Sequence, residues 1–226
     1  MAKLEIGVVN FKSKPKQTFF APEWNYYLFE SYIKNVDFKQ LAKFILSKEK
    51  EVLNLPPTLK DGLPFDGHTG LGKNSTTAKY DNYNVFKWKN KNIELIKKTI
   101  FNFHNEVLKY FNQPKSNKLY IKSWVNIMRK GEQIKPHLHG VSPDTYLGGH
   151  ICIQCQNTLT KYINPINQIN DPETYSSKNE VGKITLFQNN IPHYTSIHNS
   201  DKLRITMAFD LKVNDPKNNN YIEIYG

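Results

Sequence analysis

The chain has 226 residues, 38% of them hydrophobic and 13% aromatic, enough to bury a core in one large domain or one domain with a helical appendage. Its formal net charge of +11 invites a nucleic-acid partner, but the lysines lie scattered between asparagines along the whole length, so that partner is only weakly supported. No apolar run approaches the ~18 residues of a membrane-spanning helix, and no signal-peptide core is visible; a soluble, cytoplasmic protein is expected.

Residues 1–35 read as extended, with aromatic anchors at Phe19, Phe20, Trp24, Tyr26 and Tyr27. Asp37 is a good N-cap, and Phe38, Leu41, Phe44, Ile45 and Val52 follow helical spacing, which predicts a helix over FKQLAKFILSKEKEVL. Residues 55–83, rich in Gly, Pro, Asn, Asp and Thr, read as a long loop of the kind that is functional or disordered. Closing as a lid, it would bring His68 or Tyr80 to a substrate; plain loop filler is the default. A second helix is predicted near 92–112, where Ile93, Ile96, Ile100, Phe101, Phe103, Val107, Leu108 and Phe111 make one apolar stripe that stops at Gln113-Pro114. His104 is expected on its surface.

After residue 118 the period becomes that of strands. KLYIKSWVNIMRK, GGHICIQCQ, GKITLFQ, IPHYTSIH and KLRITMAFDLKV are short β-rich segments divided by turn residues, and YIEIYG is a candidate last strand. Helices first and strands afterwards predict a mainly β fold, a barrel or sandwich with a helical layer. Residues 1–117 would pack on a core formed by 118–226 within one integrated domain.

The chemistry-bearing residues lie in that second half. His137 and His139 in KPHLHG stand at i and i+2, so on a strand both rings point one way, about 7 Å apart. Such a pair needs a third ligand from a distant strand, and His193 in NNIPHYT, held between the strand of Ile184, Leu186 and Phe187 and the one that follows, is the candidate. Imidazole suits iron, zinc, copper and nickel, and three facial ligands leave positions open for chemistry. In KLRITMAFDL, Arg204, Thr206, Ala208 and Asp210 share one face, opposite Leu203, Ile205, Met207 and Phe209. Arginine occurs only at Arg129 and Arg204 in a chain with 31 basic residues, so a guanidinium kept at 204 reads as a fork for a carboxylate. Facing inward, it would demand an anion.

Several residues carry two readings. Asn126 can reach a ligand of the site or belong to plain core with Trp124 and Met128. Asp144 is a secondary candidate as a metal ligand or as a partner of one. His150 reads as structural or surface, and His198 as exposed. Cys152 and Cys155 stand at i and i+3, which on a strand points them to opposite faces, so two unlinked thiols are expected rather than a redox or zinc half-site.

SWVNIMRKGEQIKPHLHG, YLGGHICI and GKITLFQNNIPHYTSIHNSDKLRITMAFDL, with DGHTGLGKNSTTAKYDNYNVFKW before them, resemble the 2-oxoglutarate and Fe(II)-dependent dioxygenases. The resemblance is greatest to a branch with an HxH pair, a distant His and Arg-x-Ser/Thr, found in marine phages and bacteria, and it lies mostly after residue 118. It implies a double-stranded β-helix, or jelly roll, of cupin-like form buttressed by N-terminal helices. It implies Fe(II) on His137, His139 and His193, with 2-oxoglutarate chelating the metal and placing its far carboxylate on Arg204 and Thr206, and O2 at the remaining position. Decarboxylation to succinate would then drive hydroxylation of a protein side chain, a nucleobase or a small metabolite. The chain departs from the common pattern at His139, where most of the superfamily has Asp or Glu, and three neutral ligands hold iron more weakly. Two other readings stand beside it: a three-histidine cupin-like metalloenzyme that does not use 2-oxoglutarate, and a non-enzymatic jelly-roll binding or virion-associated protein.

Overall fold

In the computed structural model, which describes residues 5–164, 173–218 and 220–225, the chain opens with two strands, β1 (Gly7–Lys12) and β2 (Asn25–Tyr32). Residues 1–4 of the predicted extended segment lie outside the described residues. Helix α1 (Phe38–Leu53) follows, and its start is fixed as expected: the Asp37 carboxylate accepts the Gln40 N–H at 2.9 Å. The loop after α1 contains a small hairpin, β3 (Leu59–Lys60) and β4 (Leu63–Pro64). Asp61 and Gly62 turn it, both at positive φ, which is the geometry an Asp-Gly turn supplies. Helix α2 (Lys91–Tyr110) is capped by Asn90, and the Asn92 side chain accepts the Asp37 N–H at 3.1 Å, tying the two helix starts together.

The remaining strands are β5 (Lys118–Met128), β6 (Leu147–Gln154), β7 (Leu159–Ile163), β8 (Thr174–Lys178), β9 (Lys183–Gln188), β10 (His193–Thr195), β11 (Arg204–Lys212) and β12 (Ile222–Tyr225). They form two sheets. The larger runs β1-β2-β9-β6-β11-β5-β12, antiparallel throughout, and the smaller runs β10-β7-β8. A bridge between His137 and His193 lays the 134–139 segment along the free edge of β10. From β5 to β11 the chain therefore passes back and forth between the sheets, the winding of a double-stranded β-helix. β1 and β2 extend the larger sheet beside β9, so this sheet draws strands from both sides of residue 118.

The helices cover the outer face of the larger sheet. Ile45 of α1 and Ile93, Ile96, Ile100 and Phe103 of α2 are fully buried in one cluster with Ile151, Ile184, Leu186, Ile205, Met207 and Phe209. Each such side chain contributes about 1.5–3 kcal/mol by leaving water. Alternation then turns the other residues of β5, β6 and β11 toward the smaller sheet, and Asn126, Arg204 and Thr206 lie on that side. His104 is not on the surface of α2 as its sequence suggested. It is fully buried, with Nε2 2.7 Å from the Tyr146 hydroxyl, because the apolar stripe of α2 is broad enough to carry it inside. His198 is also buried rather than exposed: its Nε2 donates to the Lys202 carbonyl at 2.6 Å where the chain folds back before β11. Among the described residues no helix is long and apolar enough to cross a membrane.

Candidate metal centre

Local backbone pairing brings the remote histidine to the other two. After β5 the chain turns at Gly131, whose φ of +87° favours a residue without a Cβ. It then runs antiparallel to β10: Ile134 and Thr195 bond to each other, and His137 and His193 exchange both backbone bonds at 3.1 and 2.9 Å. His137 and His193 are thus a directly opposed pair, with ring centroids 4.4 Å apart. His139, two residues on, points the same way, 5.1 Å from His193 and 5.7 Å from His137. One ligand atom from each ring lies within 4.8 Å of the others.

The outer nitrogen of every ring is occupied. Nδ1 of His137 donates to the Lys135 carbonyl at 2.9 Å, and Nδ1 of His193 to the Ile191 carbonyl at 3.0 Å. Nδ1 of His139 donates to the Asp210 carboxylate at 2.6 Å. With Nδ1 protonated three times over, the Nε2 lone pairs are what the triad presents. Burial pushes the His137 ring down to about 4, helped by the neighbouring His139, and holds His193 well below its ordinary value, again with its two neighbours adding to the effect. Both rings are therefore neutral at neutral pH, the form a metal requires. Three convergent imidazoles fit Fe(II), and fit zinc, copper or nickel as well.

These rings open onto a cavity of about 350 Å³ between the sheets. Arg204, Thr206, Asn126, His150, Thr160 and Thr195 line it from the strands, and Phe65, His68 and Tyr80 line it from the 55–83 loop. Arg204 is only 1% exposed. Its Nε donates to Thr158 Oγ1 at 3.3 Å and its Nη1 to Met128 Sδ at 3.2 Å, and among the described residues no carboxylate pairs with it. Burial holds it below its ordinary pKa. A guanidinium buried without an anion costs several kcal/mol. Thr206 stands opposite Asn126 across β11 and β5, and the Asn126 side-chain oxygen accepts the Thr77 hydroxyl at 2.7 Å.

The structure separates the secondary candidates. Asp144 lies apart from the triad, paired with Lys212 at 2.7 Å. His150 is drawn into the cavity wall, 3.5 Å from the Tyr162 hydroxyl, and burial with the nearby Arg204 charge pushes it down to about 3. Cys152 and Cys155 are unlinked, as expected, but not turned to opposite faces: both thiols reach Asn179, at 3.4 and 3.3 Å. Strand parity fails there because β6 ends at Gln154 and its register against β11 slips beside Thr206. Asp210 is the residue whose part the sequence reading left unassigned, although its shared face with Arg204 and Thr206 already placed it inward.

Residues 122–210 match the model of a family described as "Putative 2OG-Fe(II) oxygenase". That stretch holds all three histidines, Arg204, Thr206 and Asp210. Among solved structures, the chain is similar to a prolyl-4-hydroxylase from Pseudomonas putida, at 8% identity over 83% of this chain and 93% of that one, with a TM-score of 0.52. It is similar also to AviO1 from Streptomyces viridochromogenes Tue57, at 9% identity over 84% and 90% of the two chains, with a TM-score of 0.50. At such identities the likeness is one of fold. No curated protein matches the sequence.

Proposed function

We propose, from the match of residues 122–210 to a 2OG-Fe(II) oxygenase family model and from the convergent histidines, that the chain is such an oxygenase and hydroxylates a substrate at the His137–His139–His193 centre. When bound there, Fe(II) and 2-oxoglutarate supply the oxidation: O2 is consumed, 2-oxoglutarate leaves as succinate and CO2, and one oxygen atom enters a substrate C–H bond. The chain's own residues hold and orient. The three Nε2 atoms would hold the metal and, being only three, would leave positions open for ligands. Arg204 grips the far carboxylate of 2-oxoglutarate with its planar fork, and Thr206, on the same face of β11, adds a hydroxyl. Asn126 stands across from Thr206 as a further contact. Phe65, His68, Tyr80 and Trp124 form the part of the wall that meets substrate, and their apolar faces keep water from the reacting atoms.

One observation carries this reading: a guanidinium buried without an acidic partner shares a cavity with three convergent imidazoles. Arg204→Ala tests it. In calorimetry of the Mn(II)-loaded protein, the variant should lose roughly 2–5 kcal/mol of 2-oxoglutarate binding, the cost of truncating one partner of a buried charge pair. Unchanged affinity would sink the assignment. His139 in place of a carboxylate supports the second reading, a three-histidine metalloenzyme that binds its substrate directly. Metal-loaded wild-type protein that gives no heat with 2-oxoglutarate would favour that alternative.

A further inference from the structure

A divalent cation held only by neutral donors in a half-dry cavity is poorly compensated, and iron centres of this facial type commonly carry one carboxylate among their ligands. Here the three convergent residues are all imidazoles. A carboxylate is nonetheless present one hydrogen bond away. Asp210 Oδ1 lies 2.6 Å from His139 Nδ1, and the two side chains are 13% and 5% exposed.

Two features show that this contact is built. The first is the disposal of the neighbouring lysines. Lys122, opposite Asp210 on β5, is taken by Asp81 at 2.8 Å, and Lys212 is taken by Asp144 at 2.7 Å. Among the described residues His139 is the hydrogen-bond partner left to Asp210. The second is Gly148, the residue of β6 in register with Asp210. A Cβ there would stand 2.8 Å from His139 Nδ1 and 3.3 Å from Asp210 Oδ1, and would collide with the Asn189 side-chain oxygen. Only a glycine leaves room for the bond to form. The His139 backbone is pinned as well, its N–H donating to the Asn189 carbonyl at 2.9 Å.

We propose that Asp210 is the anionic component of this centre, delivering through His139 the negative charge that a directly bound carboxylate would otherwise supply. The inference rests on the metal-binding reading of the triad. Asp210 is not one of the three convergent ligand residues and acts through His139, so it is a positioning residue that also carries charge. By donating Nδ1–H to a full carboxylate, His139 becomes a more basic ligand than His137 or His193, whose Nδ1 atoms donate to neutral carbonyls.

Mn(II) titrations by calorimetry, without cosubstrate, test this. Asp210→Asn keeps an acceptor for Nδ1–H and removes the charge, and should weaken Mn(II) binding about 10–100-fold. The same substitution made on top of His139→Asp should change affinity by less than about threefold, because the charge would then sit on the metal directly. Visible absorption of the Co(II)-loaded protein should differ between wild type and Asp210→Asn, a change that loss of packing alone would not produce. Should Asp210→Asn fail to fold, Gly148→Ala, which drives the two side chains apart, carries the same prediction for Mn(II). Wild-type protein that binds no Mn(II) overturns the metal reading and this one together. Wild-type binding matched by Asp210→Asn, or an equal loss in both backgrounds, overturns this one alone.

Discussion

His137 and His193 share a local device: each ring donates its Nδ1–H to the carbonyl two residues back, at 2.9 and 3.0 Å. The backbone itself sets the tautomer, and the backbone is the part of the chain least able to move. His104 uses burial differently. It has no role at the centre, and desolvation pushes it down to about 4 in the wall behind Tyr146. In the unfolded chain it titrates near 6.5, so between about 4 and 6.5 the unfolded state binds the extra proton and folding loses stability as pH falls. Across that window the loss is at most about 3 kcal/mol. His104→Gln should therefore flatten the stability curve between pH 6.5 and 4, read as urea midpoints over that range. A variant with the same acid limb as wild type would show that His104 titrates normally.

At the scale of elements, legibility followed apolar periodicity. α1, α2, β5, β9 and β11 were visible because Ile, Leu, Phe and Val recur with one clear period and face one core. β7 and β8 were not. In LTKYI the buried positions are Thr160 and Tyr162 while Leu159 and Ile163 are turned partly outward, and in TYSSK only Ser177 is buried. Thr160 lines the cavity, and Ser177 is held by Glu30 and Lys183; with polar groups at these inward positions the usual pattern is inverted, and nothing in the strands' own residues announces those partners. The 55–83 segment was legible as a loop but not as a fixed wall. Thr76 donates to the Val125 carbonyl at 2.8 Å, Thr77 to Asn126 at 2.7 Å, and the Lys135 N–H to the Thr69 carbonyl at 2.8 Å. These bonds clamp it to β5 and to the approach to His137. Thr77→Val would strip a buried oxygen of Asn126 of its partner, and should cost about 1–3 kcal/mol in thermal stability. It should also weaken 2-oxoglutarate if Asn126 contacts it. No change in either measurement would mean that the clamp lies elsewhere in the loop.

For the molecule as a whole, the proposed centre joins two sheets that otherwise meet through side-chain packing. His137 and His193 sit at the edge of the smaller sheet, whereas Arg204, Thr206 and Asp210 belong to the larger one. A metal held by the histidines and a dicarboxylate running from it to Arg204 would bridge the sheets, and both ligands bind only the folded chain. At one hundred times its dissociation constant, a ligand of that kind adds about 2.7 kcal/mol of apparent stability. For a domain of this length that is a rise in Tm of about 5–10 °C. Mn(II) alone should produce such a rise in wild-type protein, and a chelator should reverse it. 2-Oxoglutarate should add a second rise only after the metal, because its chelating end needs the cation while its far end needs Arg204. Arg204→Ala should keep the first rise and lose the second, and His193→Ala should lose both. The decisive contrary result is a 2-oxoglutarate shift that survives chelation, since the dicarboxylate would then sit on the basic surface of a chain of net charge +11 and not between the sheets.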